Sequence, residues 1–116
     1  MCGIFAYIYK VKSDGDHNGY YNDALIQGFN RINKRGPDNT ECRLENNVFL
    51  GFHRLSINDI SSAGNQPMAL NDYYLICNGE IFNHEKIIQE YNFTTNSKSD
   101  CEVILHLYNY LINKIG

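Results

Sequence analysis

Met1-Cys2-Gly3-Ile4-Phe5-Ala6-Tyr7-Ile8-Tyr9 opens the chain, and its reading decides both the fold and the chemistry to look for downstream. The run over residues 2–9 is rich in isoleucine and aromatic side chains, which predicts a buried strand beginning at the very N-terminus. That places Cys2 at a strand end. Its small size permits removal of the initiator methionine, leaving Cys2 with a free α-amine beside its thiol. An α-amine titrates near ~7.7–8.0 and a thiol near ~8.5, so one residue then holds a nucleophile and a base poised close to neutral pH. Pairs such as Ser-His achieve the same activation with two groups in hydrogen-bond reach. A cysteine here also has a plain reading, as a small apolar side chain under the first strand. Residues far downstream have to decide between the two.

Outward from the strand, residues 13–21 are polar and carry glycine, so they form a loop. Asn22 or Asp23 can cap a helix whose apolar positions Leu25, Ile26, Phe29 and Ile32 follow helical spacing and which is expected to end near Lys34 or Arg35. Gly36 suits a left-handed position after that helix, and Pro37 forbids continuation. Asn46-Asn47 is a tight-turn signal between strands at residues 42–45 and 48–53. Residues 58–67 are turn chemistry throughout, either a binding loop or a floppy one. A second buried strand is expected over residues 73–77, running into Asn78-Gly79-Glu80, and a short helix at His84–Tyr91. Ser99 or Asp100 then caps a last helix with an apolar stripe of Val103, Ile104, Leu107, Leu111 and Ile112. Ser99 with Glu102 makes the S-x-x-E capping box. The pattern is a layered α+β arrangement.

A length of 116 residues supports one modest core, with 43% hydrophobic and 20% charged residues, both ordinary globular values. A net charge of −3 gives no electrostatic footprint for nucleic acid or an anionic membrane. The apolar opening is too short to span a membrane and lacks the flanks of a signal peptide, which predicts a cytoplasmic protein. Its widely spaced cysteines (Cys2, Cys42, Cys77, Cys101) are then expected as free thiols. His17, His53, His84 and His106 show no metal-ligand spacing, so no metal is expected.

If the Cys2 thiol attacks an amide, the developing oxyanion needs donors and the substrate's charges need anchors. An asparagine side chain beside a glycine backbone N–H, as in Asn78-Gly79, is such a donor pair. Arg54 offers a bidentate guanidinium for a carboxylate, and Asp100 an acceptor for an ammonium. Together they describe an α-amino acid with a side-chain amide. Each also has a plain reading: a turn, a surface charge and a helix cap.

Read in order, Met1-Cys2-Gly3-Ile4-Phe5, Arg35-Gly36-Pro37-Asp38, Phe52-His53-Arg54-Leu55-Ser56-Ile57, Gly64-Asn65-Gln66-Pro67, Cys77-Asn78-Gly79-Glu80-Ile81-Phe82-Asn83-His84 and Ser99-Asp100-Cys101-Glu102-Val103-Ile104 carry a resemblance. The chain resembles, end to end, the N-terminal glutaminase domain of class II glutamine amidotransferases, within the N-terminal-nucleophile hydrolases. It is most similar to the asparagine synthetase branch. Ala6 stands where many relatives have glycine, a change expected to be tolerated.

The resemblance implies Cys2 as nucleophile with its α-amine as base, and Asn78 and Gly79 as the oxyanion hole. It implies Arg54 on the glutamine α-carboxylate, Leu55, Ser56, Ile57 and Asn58 lining the pocket, Glu80 touching substrate and Asp100 on the α-ammonium. The reaction implied is hydrolysis of L-glutamine through a γ-glutamyl thioester, with no cofactor in this chain. ATP and Mg are implied only for a synthetase domain or subunit that would receive the ammonia, whose S-G-G-x-D-S-type loop is not in this sequence. The implied fold is a partial αββα sandwich with antiparallel sheets. Residues 1–116 are expected to be one domain, truncated on its C-terminal side. A competing expectation is a non-catalytic module of the same shape, binding a partner or homodimerising through exposed edge strands.

Overall fold

A computed structural model describes residues 1–9, 23–57 and 59–116. In chain order these form β1 (Gly3–Ile8), α1 (Asp23–Asn30), β2 (Asn39–Glu45), β3 (Val48–Arg54), β4 (Met68–Leu70), β5 (Tyr73–Leu75), α2 (His84–Tyr91) and α3 (Glu102–Ile115). The loop expected over residues 13–21, and the Asn22 cap, lie outside the described residues. Mixed helices and antiparallel sheets make the chain α+β, compatible with a partial αββα sandwich.

β3 is the central strand of a three-stranded sheet in the order β1-β3-β2, both pairings antiparallel. Its Val-Phe-Leu-Gly-Phe-His-Arg run suits a strand paired on both edges, and Phe49 and Phe52 are almost wholly buried. The two-residue turn Asn46-Asn47 closes the β2–β3 hairpin as its sequence predicts, with Asn46 at φ 50°. β1 departs from the expectation of a buried strand. As an edge strand it is largely open, with Phe5 turned toward α1 while Ile4, Tyr7 and Ile8 remain exposed.

α1 covers this sheet because Leu25 and Phe29, four apart, fall on one helical face. Phe5, Phe29 and Phe49 meet as a trio with ring centroids 5.7–6.0 Å apart. Burying such a ring is worth about 1.5–3 kcal/mol, and each edge-to-face pair about 0.5–1.5 more. His53 lies in the same layer, stacked 4.1 Å from the Phe29 ring. Its Nε2–H donates to Phe29 C=O at 3.0 Å, which leaves Nδ1 to accept from the Thr40 hydroxyl at 2.7 Å.

α1 stops at Asn30, earlier than the apolar spacing predicts, and a 3₁₀ turn over Asn33–Arg35 follows. Gly36 is not left-handed: its φ is −149°. Proximity explains the glycine instead, since a Cβ here would lie 2.0 Å from the His53 carbonyl oxygen. Gly36→Ala is therefore expected to destabilise the chain by about 2–4 kcal/mol, because the obstacle is backbone and cannot rotate away. Urea unfolding of the purified variant checks this; an unchanged midpoint would contradict the close approach.

The second sheet is the β4–β5 hairpin, with Met68 opposite Leu75. β5 is as expected but ends at Leu75, and β4 is new, three residues directly after Pro67. α3 packs on this hairpin, with the Tyr108 ring edge-on to Tyr73, and buries Val103 and Leu105, while Leu111 and Ile112 of the expected stripe stay partly exposed. The capping box is not formed. The Glu102 carboxylate instead accepts Asn96 N–H, Ser97 N–H and the Ser97 hydroxyl, fastening the preceding connector to α3. Burial opposes this charge, but the bonds from Asn96, Ser97 and His106 outweigh it and hold the carboxyl below its ordinary range.

Candidate active site

Strand register delivers Cys2. Gly3 pairs with His53, so one step further brings Cys2 alongside Arg54, and the thiol reaches the next residue. Leu55 N–H donates to Cys2 Sγ at 3.3 Å, and Sγ lies 3.5 Å from Leu55 C=O. A thiol can donate to that carbonyl, and a thiolate can accept that N–H, so both protonation states have a partner. Cys2 N–H donates to Asn78 Oδ1 at 3.0 Å, and Arg35 Nε–H donates to Cys2 C=O at 3.2 Å. With Oδ1 committed to Cys2, the Asn78 Nδ2 is the end of the amide that can donate to something else.

Arg54 enters from the end of β3 and is only 6% exposed. Its Nη1 donates to Ser61 C=O at 2.5 Å and to Asn65 Oδ1 at 2.7 Å, and its Nη2 donates to Asp59 C=O. The loop of residues 59–65 therefore wraps the guanidinium rather than flopping over it. Gly64 leaves room for it: a Cβ there would lie 2.3 Å from Nη2, so the guanidinium would have to shift. Asp59 closes the loop: its carboxylate accepts the Ser61 hydroxyl at 2.6 Å, Ser61 N–H at 2.8 Å and Lys98 N–H at 2.7 Å. The Ser61 hydroxyl first, then the Lys98 and Ser61 amides, hold this carboxyl down at about 2, so it is charged at neutral pH.

Asp100 is buried two residues before α3, and its Oδ2 accepts Ile81 N–H at 2.5 Å. The Cys101 thiol lies 3.2 Å from that of Cys77. Burial, and then the Cys77 thiol, push Cys101 well above the ordinary thiol range, so it stays protonated and unreactive at neutral pH.

These residues border an open cavity of 340 Å³, at the small end of the range for metabolite sites. Its lining includes Cys2, Arg54, Leu55, Ile57, Asn78, Gly79, Glu80 and Asp100. Ser56 is not part of the lining; its N–H is bound by Asp38 Oδ2 at 2.7 Å, which steadies the turn after Arg54. Asn58 lies outside the described residues. Gln66, Cys77 and Cys101 also face the cavity and were not singled out from the sequence as site residues. Gly64-Asn65-Gln66-Pro67 stood in the sequence as turn chemistry and as one of the motifs of the resemblance, with no site role given to Gln66. Among the described residues no group of His, Cys, Asp and Glu could hold a metal ion, and no helix is long and apolar enough to cross a membrane.

The sequence matches a glutamine amidotransferase domain family over residues 1–114. The chain belongs to that family. It is 36% identical over 116 residues to a protein of Acanthamoeba polyphaga mimivirus named "Probable asparagine synthetase", glutamine-hydrolyzing, covering 94% of this chain and 20% of that one. Against the human glutamine-hydrolyzing asparagine synthetase the identity is 43% over 86 residues, 67% of this chain and 15% of the relative. Against asparagine synthetase 1 of Saccharomyces cerevisiae it is 37% over 113 residues, 93% of this chain and 18% of the relative. This amidotransferase domain thus spans about a fifth of the length of the curated relatives it matches. The resemblance read from the motifs and the family agree.

Proposed function

We propose that the chain hydrolyses L-glutamine to glutamate and ammonia, as the glutaminase part of a glutamine-hydrolysing asparagine synthetase. The observation that supports this best is the meeting of Cys2 with Asn78 and Leu55 at the edge of a cavity also lined by Arg54 and Asp100. Once Met1 is removed, the Cys2 nitrogen that now faces Asn78 Oδ1 becomes the α-amine. It takes the thiol proton, and the thiolate attacks the side-chain carbonyl carbon of glutamine. The oxyanion is received by Asn78 Nδ2 and Gly79 N–H. The amine returns its proton to the leaving nitrogen, ammonia departs, and a γ-glutamyl thioester remains for water to hydrolyse. Arg54 and Asp100 hold the α-carboxylate and α-ammonium, with Glu80 at the rim.

Thiol, amine, donors and water suffice for this reaction, so no cofactor is assigned to this chain. ATP and Mg belong to the synthetase domain or subunit that would use the ammonia. The test is release of glutamate from glutamine by the purified chain, with intact mass read on the same sample. Turnover with Met1 absent is expected. A folded chain lacking Met1 that releases no glutamate would overturn the reading and favour the non-catalytic module.

A further inference from the structure

We infer that Gln66 is a positioning residue for the oxyanion donors, an inference that rests on the glutaminase reading. Its side chain is buried, at 4% exposure, and makes two bonds to one backbone residue. Cys77 N–H donates to Gln66 Oε1 at 2.6 Å, and Gln66 Nε2 donates to Cys77 C=O at 3.3 Å. The β4–β5 register pairs Met68 with Leu75, so continuing it outward sets residue 66 opposite residue 77. The main-chain ladder ends at Met68, and Gln66 meets residue 77 with its side chain instead of its backbone. The Gln66 amide supplies the missing strand partner, with one donor and one acceptor.

Cys77 C=O shares a peptide plane with the Asn78 N–H. Fixing that plane fixes the approach to Asn78, which meets Cys2 at 3.0 Å, and to Gly79 after it. Downstream, the same segment is held by Ile81 N–H on Asp100. Asn65, the neighbour of Gln66, accepts from Arg54 at 2.7 Å. Consecutive residues of one loop therefore tie down the carboxylate anchor and the oxyanion segment, which sets the span between the two ends of the substrate.

Gln66→Met keeps the length and removes both bonds. With Arg54 and Asp100 still in place, it is expected to lower kcat about 10- to 100-fold while KM stays within about threefold, since a displacement near 1 Å costs on the order of 100-fold. Gln66→Glu keeps the bond from Cys77 N–H and loses the donor to Cys77 C=O; it is expected to lower kcat about tenfold, again with KM held. Unchanged kcat in a folded variant, or a loss confined to KM, would overturn the assignment. So would failure of both variants to fold, which would make Gln66 a purely structural tie. If the unsubstituted chain releases no glutamate, the glutaminase reading fails first, and amide hydrogen exchange decides Gln66 by itself. Faster exchange at Asn78 and Gly79 in Gln66→Met, with α3 unchanged, supports positioning; unchanged exchange overturns it.

Discussion

Replacing Cys2 with alanine is expected to remove glutamine turnover, with kcat lowered at least about 10⁴-fold, while the chain stays folded and still binds glutamine. The size of the loss follows from the rest of the cavity. Two other thiols line it, but the buried Cys101 is held protonated and Cys77, interior in the chain, does not carry the α-amine. Neither can take over the attack. The fold should barely notice. Cys2 is half-buried, and its Sγ accepts one backbone N–H, from Leu55 at 3.3 Å, so the stability cost is about 1 kcal/mol. Binding should persist because Arg54 and Asp100 do not depend on Sγ. Glutamate release, a thermal melt and calorimetric titration with glutamine check the three parts. Retained turnover in a homogeneous Cys2→Ala sample would sink the proposed mechanism, whereas lost turnover with lost binding would point to a collapsed pocket.

How much of this was legible beforehand depends on whether the interaction is local in sequence. The His84–Tyr91 helix, the Asn46-Asn47 hairpin and the β1 and β3 strands arise from short-range pattern and turn chemistry, and their expected positions agree closely with the observed ones. Gly36 was recognised as special for the wrong reason. Its constraint is the His53 carbonyl, seventeen positions away, which no local signal reports. Glu102 offered a capping box with Ser99, but it found three better donors in Asn96 and Ser97. β4 was hidden because three residues are too few to show a period, and its pairing is defined only by β5. The grouping of Cys2, Arg54, Asn78 and Asp100 in one cavity could be expected only from motif order. The register of β1 on β3 is the physical reason that Cys2 and Arg54 are neighbours.

Arg54 is where structure changes a sequence-level expectation most, and it carries the second large effect. A guanidinium has five N–H donors. Three contacts are taken by Ser61 C=O, Asn65 Oδ1 and Asp59 C=O, so Nε–H is among those left for a carboxylate. Arg54→Ala is therefore expected to do two things at once. Loss of a charge-assisted carboxylate contact should raise KM about 100-fold or more, and three stranded loop acceptors should destabilise the fold by about 2–4 kcal/mol. Arg54→Lys should restore neither fully, because a single ammonium cannot serve a planar set of loop acceptors and a carboxylate together. A double cycle separates the two roles, using glutamine and its α-amide as substrates with the wild-type and Arg54→Ala chains. If Arg54 holds the carboxylate, amidation should cost the wild type about 100-fold in kcat/KM and cost Arg54→Ala little. If both proteins lose equally, Arg54 only clamps the loop of residues 59–65, and the carboxylate is held by some other donor.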